Sequence, residues 1–195
     1  MNKVTSIRNF WSLNTDEAVV TGILRSNLNK EVEVFMPLNS QMKDVDLALI
    51  SSRDRNKTIT IQVKGSKAYK PKKEDINKFG EGSGTWISVK KEAIKTSNAD
   101  YFVFLLYVIE QFDESGDGRL YVEPHTVIIP TKKLIKKLDK YKNPPGLDKY
   151  QFYFWVNPKK LEVFDRRDLK NKDVYGYYND FLNKKGLEIL NKHFK

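Results

Sequence analysis

No cysteine occurs among the 195 residues, and His125 and His193 are the only histidines. The first absence removes disulfides, thiolate nucleophiles and Cys-ligated zinc together. The second removes a metal site built from several imidazoles, so any catalysis has to run on carboxylates, amides, hydroxyls and lysines. Long apolar runs are missing as well. The longest, Tyr101 to Ile109, has the length of a buried strand rather than of a membrane span, and no membrane association is expected. Residues Met1 to Ser6 carry no apolar signal-peptide core, which makes the cytoplasm the expected location. Internal repeats and low-complexity segments are absent too.

What is present describes a globular chain. Hydrophobic residues at 39% and charged residues at 31% are too apolar together for a disordered protein, and the length suffices for a real core. Thirty-five basic residues stand against twenty-five acidic ones, a net charge of +10, which attracts polyanions at long range. A lysine-rich surface that serves only solubility fits the same numbers, so charge alone does not choose.

Pattern divides the chain as follows. A helix capped by Asn14 or Thr15 runs to about Asn29, with Val20, Ile23, Leu24 and Leu28 as one apolar stripe. Strands follow at Glu31 to Met36, Asp44 to Ser52 and Thr58 to Lys64, the last two joined by a turn at Arg53 to Asn56. Gly65 to Thr85, polar and glycine-punctuated, reads as a long loop or a short helix between loops, and Trp86 to Thr96 as partly helical. Asp100 to Ile109 is a continuous apolar strand buried on both faces. A turn at Glu114 to Gly118, a strand at Leu120 to Ile129 and a basic amphipathic helix from Thr131 to Tyr141 come next, and Asn143-Pro144-Pro145-Gly146 ends that helix. The tail offers strands at Tyr150 to Val156 and Leu161 to Phe164 and a helix from Tyr178 to Asn191. Helix, three strands, helix, strand implies a mixed α/β sheet flanked by helices. Residues 1–142 are expected to form the core, with 143–195 a C-terminal strand and helix extension packed on the same domain.

One group of polar residues interrupts these strands where they otherwise look like core. Strand alternation puts Gln62 and Lys64 on one face at the end of the third strand. If the second and third strands pair as an antiparallel hairpin, Asp46 at the start of the second lies beside them. Mg²⁺ takes oxygen ligands and keeps several waters; the Asp46 carboxylate, the Gln62 side-chain oxygen and the Val63 carbonyl can supply them. A water on such an ion becomes a nucleophile near neutral pH, and Lys64 can orient it or stabilise charge on a phosphate. Asp44 is a rival to Asp46, which is preferred because the apolar run starts directly after it. Glu17 shares the helix stripe with Val20, Leu24 and Leu28, so it can face the sheet. It can equally sit at the third helical position and complete a capping box with Asn14.

Glu17 on a leading helix, then Asp44-Val45-Asp46-Leu47-Ala48-Leu49-Ile50, then Thr60-Ile61-Gln62-Val63-Lys64-Gly65, resembles the PD-(D/E)XK nuclease superfamily over about Thr15 to Pro130. The resemblance implies a restriction-endonuclease-like αβββαβ core. It further implies that Asp46 and Gln62 are metal ligands, that Lys64 is the catalytic lysine and that Glu17 is the helix acid found in many members. Two departures stand out: Val45 occupies the place of the proline, and Gln62 that of the second acid, a QxK variant that leans harder on Asp46 and Glu17 for charge.

The expectation is therefore a Mg²⁺- or Mn²⁺-dependent DNA endonuclease, in restriction, defence or mobile-element biology, acting as a homodimer. Lys67, Lys70, Lys72, Lys73 and Lys78, directly after the catalytic strand, are expected to contact the phosphate backbone. Lys132, Lys133, Lys136 and Lys137 read instead as the solvated face of an ordinary helix, Tyr150 to Trp155 as packing, and His125 as structural. The alternatives are a structure-selective nuclease of the Holliday-junction resolvase kind and a nucleic-acid-binding module that keeps the fold without turnover.

Overall fold

The computed structural model describes residues 15–37, 44–111, 120–139, 147–166 and 176–195. Asn14, the turn at Glu114 to Gly118 and the Asn143 to Gly146 break lie outside them. Helix α1 (Thr15–Asn27) leads into strands β1 (Val32–Phe35), β2 (Leu47–Ser51) and β3 (Thr58–Gly65). An excursion follows: β4 (Lys67–Tyr69), α2 (Lys73–Phe79), β5 (Ser83–Lys90) and α3 (Lys91–Lys95). The chain returns through β6 (Tyr101–Gln111) and β7 (Leu120–Pro130) to α4 (Thr131–Asp139), β8 (Lys149–Asn157), β9 (Glu162–Asp165), a 3₁₀ turn (Asn179–Phe181) and α5 (Lys184–His193).

Two sheets result. The first has the order β1-β2-β3-β6-β7, antiparallel except for the parallel pair β3–β6; the second has the order β4-β5-β8-β9 and is antiparallel throughout. The expected mixed α/β sheet flanked by helices is present, and β2 and β3 form the expected antiparallel hairpin. The parallel register is set at its first rung by Asp100. Its Oδ2 accepts from the Thr60 N–H and hydroxyl at 2.8 and 2.9 Å, while its own N–H donates to the Thr60 carbonyl at 2.9 Å.

The reading of residues 65–96 holds for its helices and needs correction for its strands. Residues 65–85, expected as a long loop or a short helix between loops, do contain a short helix, α2, but also β4 and the start of β5. Residues 86–96 are partly helical as expected, at Lys91–Lys95, but Trp86 to Lys90 are strand. The alternation in Trp86-Ile87-Ser88-Val89-Lys90 is real, and it buries Ile87 and Val89 against β8. Strands β4 and β5 are half of a second sheet, and β8 and β9 from the tail are the other half.

The core lies on both faces of the first sheet. On one face α1 and α5 lay Val20, Leu24, Leu187 and Leu190 over Leu47, Leu49, Ile59, Ile61, Val63, Val103 and Leu105. On the other, Phe102, Phe104, Leu106 and Val108 meet Ile87, Val89, Tyr150, Phe152 and Phe154 of the second sheet. The aromatic run of β8 is therefore packing: Phe152, Phe154 and Trp155 are all buried, with the Phe104 and Phe152 rings 5.0 Å apart. Among the described residues no helix is long and apolar enough to cross a membrane.

Candidate active site at the end of the third strand

The β2–β3 ladder ends at Leu47↔Ile61, and the Asp46 N–H donates to the Ile61 carbonyl at 2.8 Å. Two residues before Asp46, Asp44 is in a left-handed turn conformation (φ 68°), outside the sheet. The next rung is made by a side chain instead: Asp46 Oδ2 accepts from the Val63 N–H at 2.6 Å. Lys64 Nζ lies 3.9 Å from the same oxygen, and both side chains reach solvent at the rim. Since the Ile61 carbonyl and the Val63 N–H both turn toward β2, alternation puts the Val63 carbonyl on that edge too, beyond the last backbone rung.

Gln62 and Lys64 pair in register with Phe102 and Phe104, and so emerge on the face toward the second sheet. Gln62 is 5% exposed, and among the described residues its Oε1 has no hydrogen-bond partner. An orphaned buried acceptor costs about 1–3 kcal/mol. Gln62 is thus a polar strand residue beside a carboxylate and a lysine, with an acceptor that the described residues do not use.

The helix contributes an acid that the sequence reading passed over. Asp16 leans onto the strand end so closely that a Cβ on Gly65 would lie 1.8 Å from its Oδ2; only glycine leaves room. The Tyr107 hydroxyl donates to Asp16 Oδ1 at 2.8 Å, and the Tyr107 N–H donates to Ser66 Oγ at 3.1 Å. Burial first, then the hydrogen bond to Asp16 and its charge, push the Tyr107 hydroxyl up to about 12. Asp46 from β2 and Asp16 from α1 thus both reach the β3 end within three residues of each other along that strand. Glu17 is half-buried in the same helical turn. The signal for Asp16 was available: it precedes the buried Val20 and Leu24 by four and eight, so it shares their stripe as well as Glu17 does.

Of the expected phosphate-contacting lysines, Lys67 is exposed on β4, Lys70 and Lys72 are exposed just after it, and Lys73 and Lys78 are exposed on α2. Lys78 Nζ sits 5.2 Å from the Phe79 ring centroid. His125 is buried on β7, with Nδ1 2.8 Å from Asn183 Nδ2.

No group of three or more His, Asp or Glu side chains able to hold a metal exists among the described residues. A divalent cation at the β3 end would instead rest on the Asp46 carboxylate, Gln62 Oε1 and the Val63 carbonyl. These are hard oxygen donors of the kind Mg²⁺ takes, and the unpartnered Oε1 fits such a role. The chain matches no protein-family model, no curated protein and no solved structure.

Proposed function

We propose that this chain is a restriction-endonuclease-like nuclease of the PD-(D/E)XK type, in a QxK form, that hydrolyses DNA phosphodiesters with Mg²⁺ or Mn²⁺. The observation that carries the proposal is the convergence of Asp46, Lys64 and the unpartnered Gln62 oxygen at the end of β3. Asp46, Gln62 and the Val63 carbonyl would hold the cation, which when bound supplies Lewis-acid polarisation of the phosphodiester and a more acidic water. Lys64, held within ion-pair reach of Asp46, stabilises charge developing on the phosphate. Asp16 adds negative charge beside the same strand end, and the exposed lysines of β4 and α2 draw the polyanion toward it.

Plasmid cleavage tests this. The wild-type chain should nick or cut DNA with Mg²⁺, and Asp46→Ala and Lys64→Ala should each abolish cleavage while remaining folded and able to bind DNA. Cleavage confined to four-way junctions would select a resolvase-like enzyme. Inactivity of the wild type with Mg²⁺ and Mn²⁺ on linear, supercoiled, branched and single-stranded DNA would sink the enzyme reading. It would favour a binding module, the reading that the absence of a three-acid cluster among the described residues supports.

A further inference from the structure

The second sheet has a wet face that the core does not use. Ile87, Val89, Tyr150, Phe152 and Phe154 point inward, so Trp86, Ser88 and Lys90 of β5 and Lys149, Gln151 and Tyr153 of β8 point out, as does Lys67 of β4 opposite Trp86. Trp86 and Tyr153 face each other across the ladder with ring centroids 6.4 Å apart and planes 31° from parallel. The Trp86 indole is fixed by donation from Nε1 to Gln151 Oε1 at 2.9 Å, and both rings are only half-buried. Two aromatic rings side by side on a sheet, neither sealed into the core, form a platform.

The three strands of this platform, β4, β5 and β8, carry charge of one sign. Lys90 pairs directly opposite Lys149, both exposed, and Lys67 stands exposed beside Trp86. Like charges directly opposite each other in a ladder are destabilising. None of the three makes an ion pair among the described residues, and no residue of β4, β5 or β8 on this face is acidic. At the other end α2 closes over the face through Phe79, whose ring is 5.4 Å from that of Trp155, and brings Lys73 and Lys78, with Glu74 and the Arg166-paired Asp75, to the platform's border.

We propose that this face binds single-stranded DNA, with unpaired bases stacking on Trp86 and Tyr153 and phosphates resting on Lys67, Lys90 and Lys149. The proposal rests on DNA as the polymer in the functional reading above and deepens it: the strand delivered to Asp46 and Lys64 carries unpaired bases. Aromatic faces are available only to bases out of the duplex stack, and stacking of this kind is indifferent to sequence. Lys67 follows Lys64 by three residues, roughly 10 Å of extended chain, so a short stretch of chain joins the platform's edge to the strand that carries the candidate active site.

Fluorescence anisotropy of a labelled fifteen-residue oligo-dT, measured on the full chain in EDTA so that nothing is cut, tests the idea. Wild type should bind it more tightly than a duplex of the same length. Trp86→Ala should weaken binding about tenfold, and Trp86→Phe should retain most of it. Because Trp86→Ala removes a half-buried ring, a second variant acts only at exposed positions: Lys90→Glu with Lys149→Glu should weaken binding and lower the salt slope by about 1.4. Unchanged affinity in both variants would overturn the proposal. So would equal binding of duplex, preference for oligo-rU, or displacement of the oligonucleotide by polyglutamate as efficiently as by unlabelled oligo-dT. Oligo-dT binding that depends on Trp86 in a chain that never cleaves would end the nuclease reading and leave the platform standing. Cleavage that depends on Lys64 with no role for Trp86 would do the reverse.

Discussion

Two polar groups of residues interrupt the edges of the first sheet, and they are built on opposite principles. At the β7 edge, Asn183 clasps Thr126 on both sides. Its Oδ1 accepts from the Thr126 N–H at 2.8 Å and its own N–H donates to the Thr126 carbonyl at 2.7 Å, while its Nδ2 lies 2.8 Å from His125 Nδ1. His125 Nε2 in turn lies 3.5 Å from Glu123 Oε2. At the β3 end, the Asp46 carboxylate satisfies the Val63 N–H, but Gln62 Oε1 is buried with nothing to accept from among the described residues. The first cluster covers a sheet edge and docks α5, and the Asn183 side chain is spent in doing so. The second retains capacity that the fold does not use. What sets the Gln62 acceptor apart is its setting, beside the Asp46 carboxylate and the Lys64 ammonium at a strand end.

The largest effect that would sharpen this contrast is on turnover. Asp46→Asn keeps an oxygen for the Val63 N–H and removes the charge, so cleavage should fall on the order of 10²–10³-fold, the scale of losing one transition-state group. The melting temperature should shift by no more than a few degrees. Equal losses of activity and stability would show that the two clusters are alike after all. Next comes the clasp itself. Asn183→Ala removes the side-chain bonds to Thr126 and His125 and places a Cβ residue without compensation at φ 45°. Chemical denaturation should report a loss of about 2 kcal/mol, with cleavage by the remaining folded protein unaltered.

A smaller effect should carry the opposite sign. Gln62→Leu replaces an unpartnered acceptor with an apolar group of similar size among core neighbours, so in EDTA it should stabilise by about 1 kcal/mol. The same variant should lose any Mg²⁺-dependent rise in melting temperature shown by the wild type. Destabilisation in EDTA would mean that Gln62 has a structural partner after all and would erase the distinction drawn between the two clusters.

How much of this was legible follows the range of each signal. Strand alternation is local, so Gln62 and Lys64 could be placed on one face, and the hairpin that brings Asp46 beside them is a short-range pairing signalled by its turn. The excursion through β4, α2 and β5 was not legible, because β5 finds its partner in β8, some sixty residues later, and Gly65 to Thr85 carries the composition of a loop. The Trp86 platform was hidden for the same reason: its outward face exists only once β8 is in register. Asp16 was a different kind of miss. Both first-turn acids lie on the stripe, and what singles out Asp16 is the bare backbone at Gly65 and a hydroxyl ninety-one residues away on Tyr107.

That hydroxyl gives the smallest and most specific effect. Tyr107 is pushed up to about 12 by burial and by Asp16, whereas an unperturbed tyrosine titrates near 10.0. The folded chain therefore holds this proton more tightly than the unfolded one. The stabilisation is fully present below pH 10 and is lost as pH rises through 12, because in that window the folded state binds more protons than the unfolded state. Burial also raises Tyr101 and Tyr150, so alkaline unfolding has several contributors. Tyr107→Phe should shrink the fall in stability between pH 10 and 12 without abolishing it. It should also remove a late component near pH 12 from the tyrosinate absorbance titration. An unchanged titration would mean that Tyr107 does not hold Asp16 over Gly65 in solution. The β3 end would then keep Asp46 as its positioned carboxylate and lose the second one that sets it apart from the closed cluster at β7.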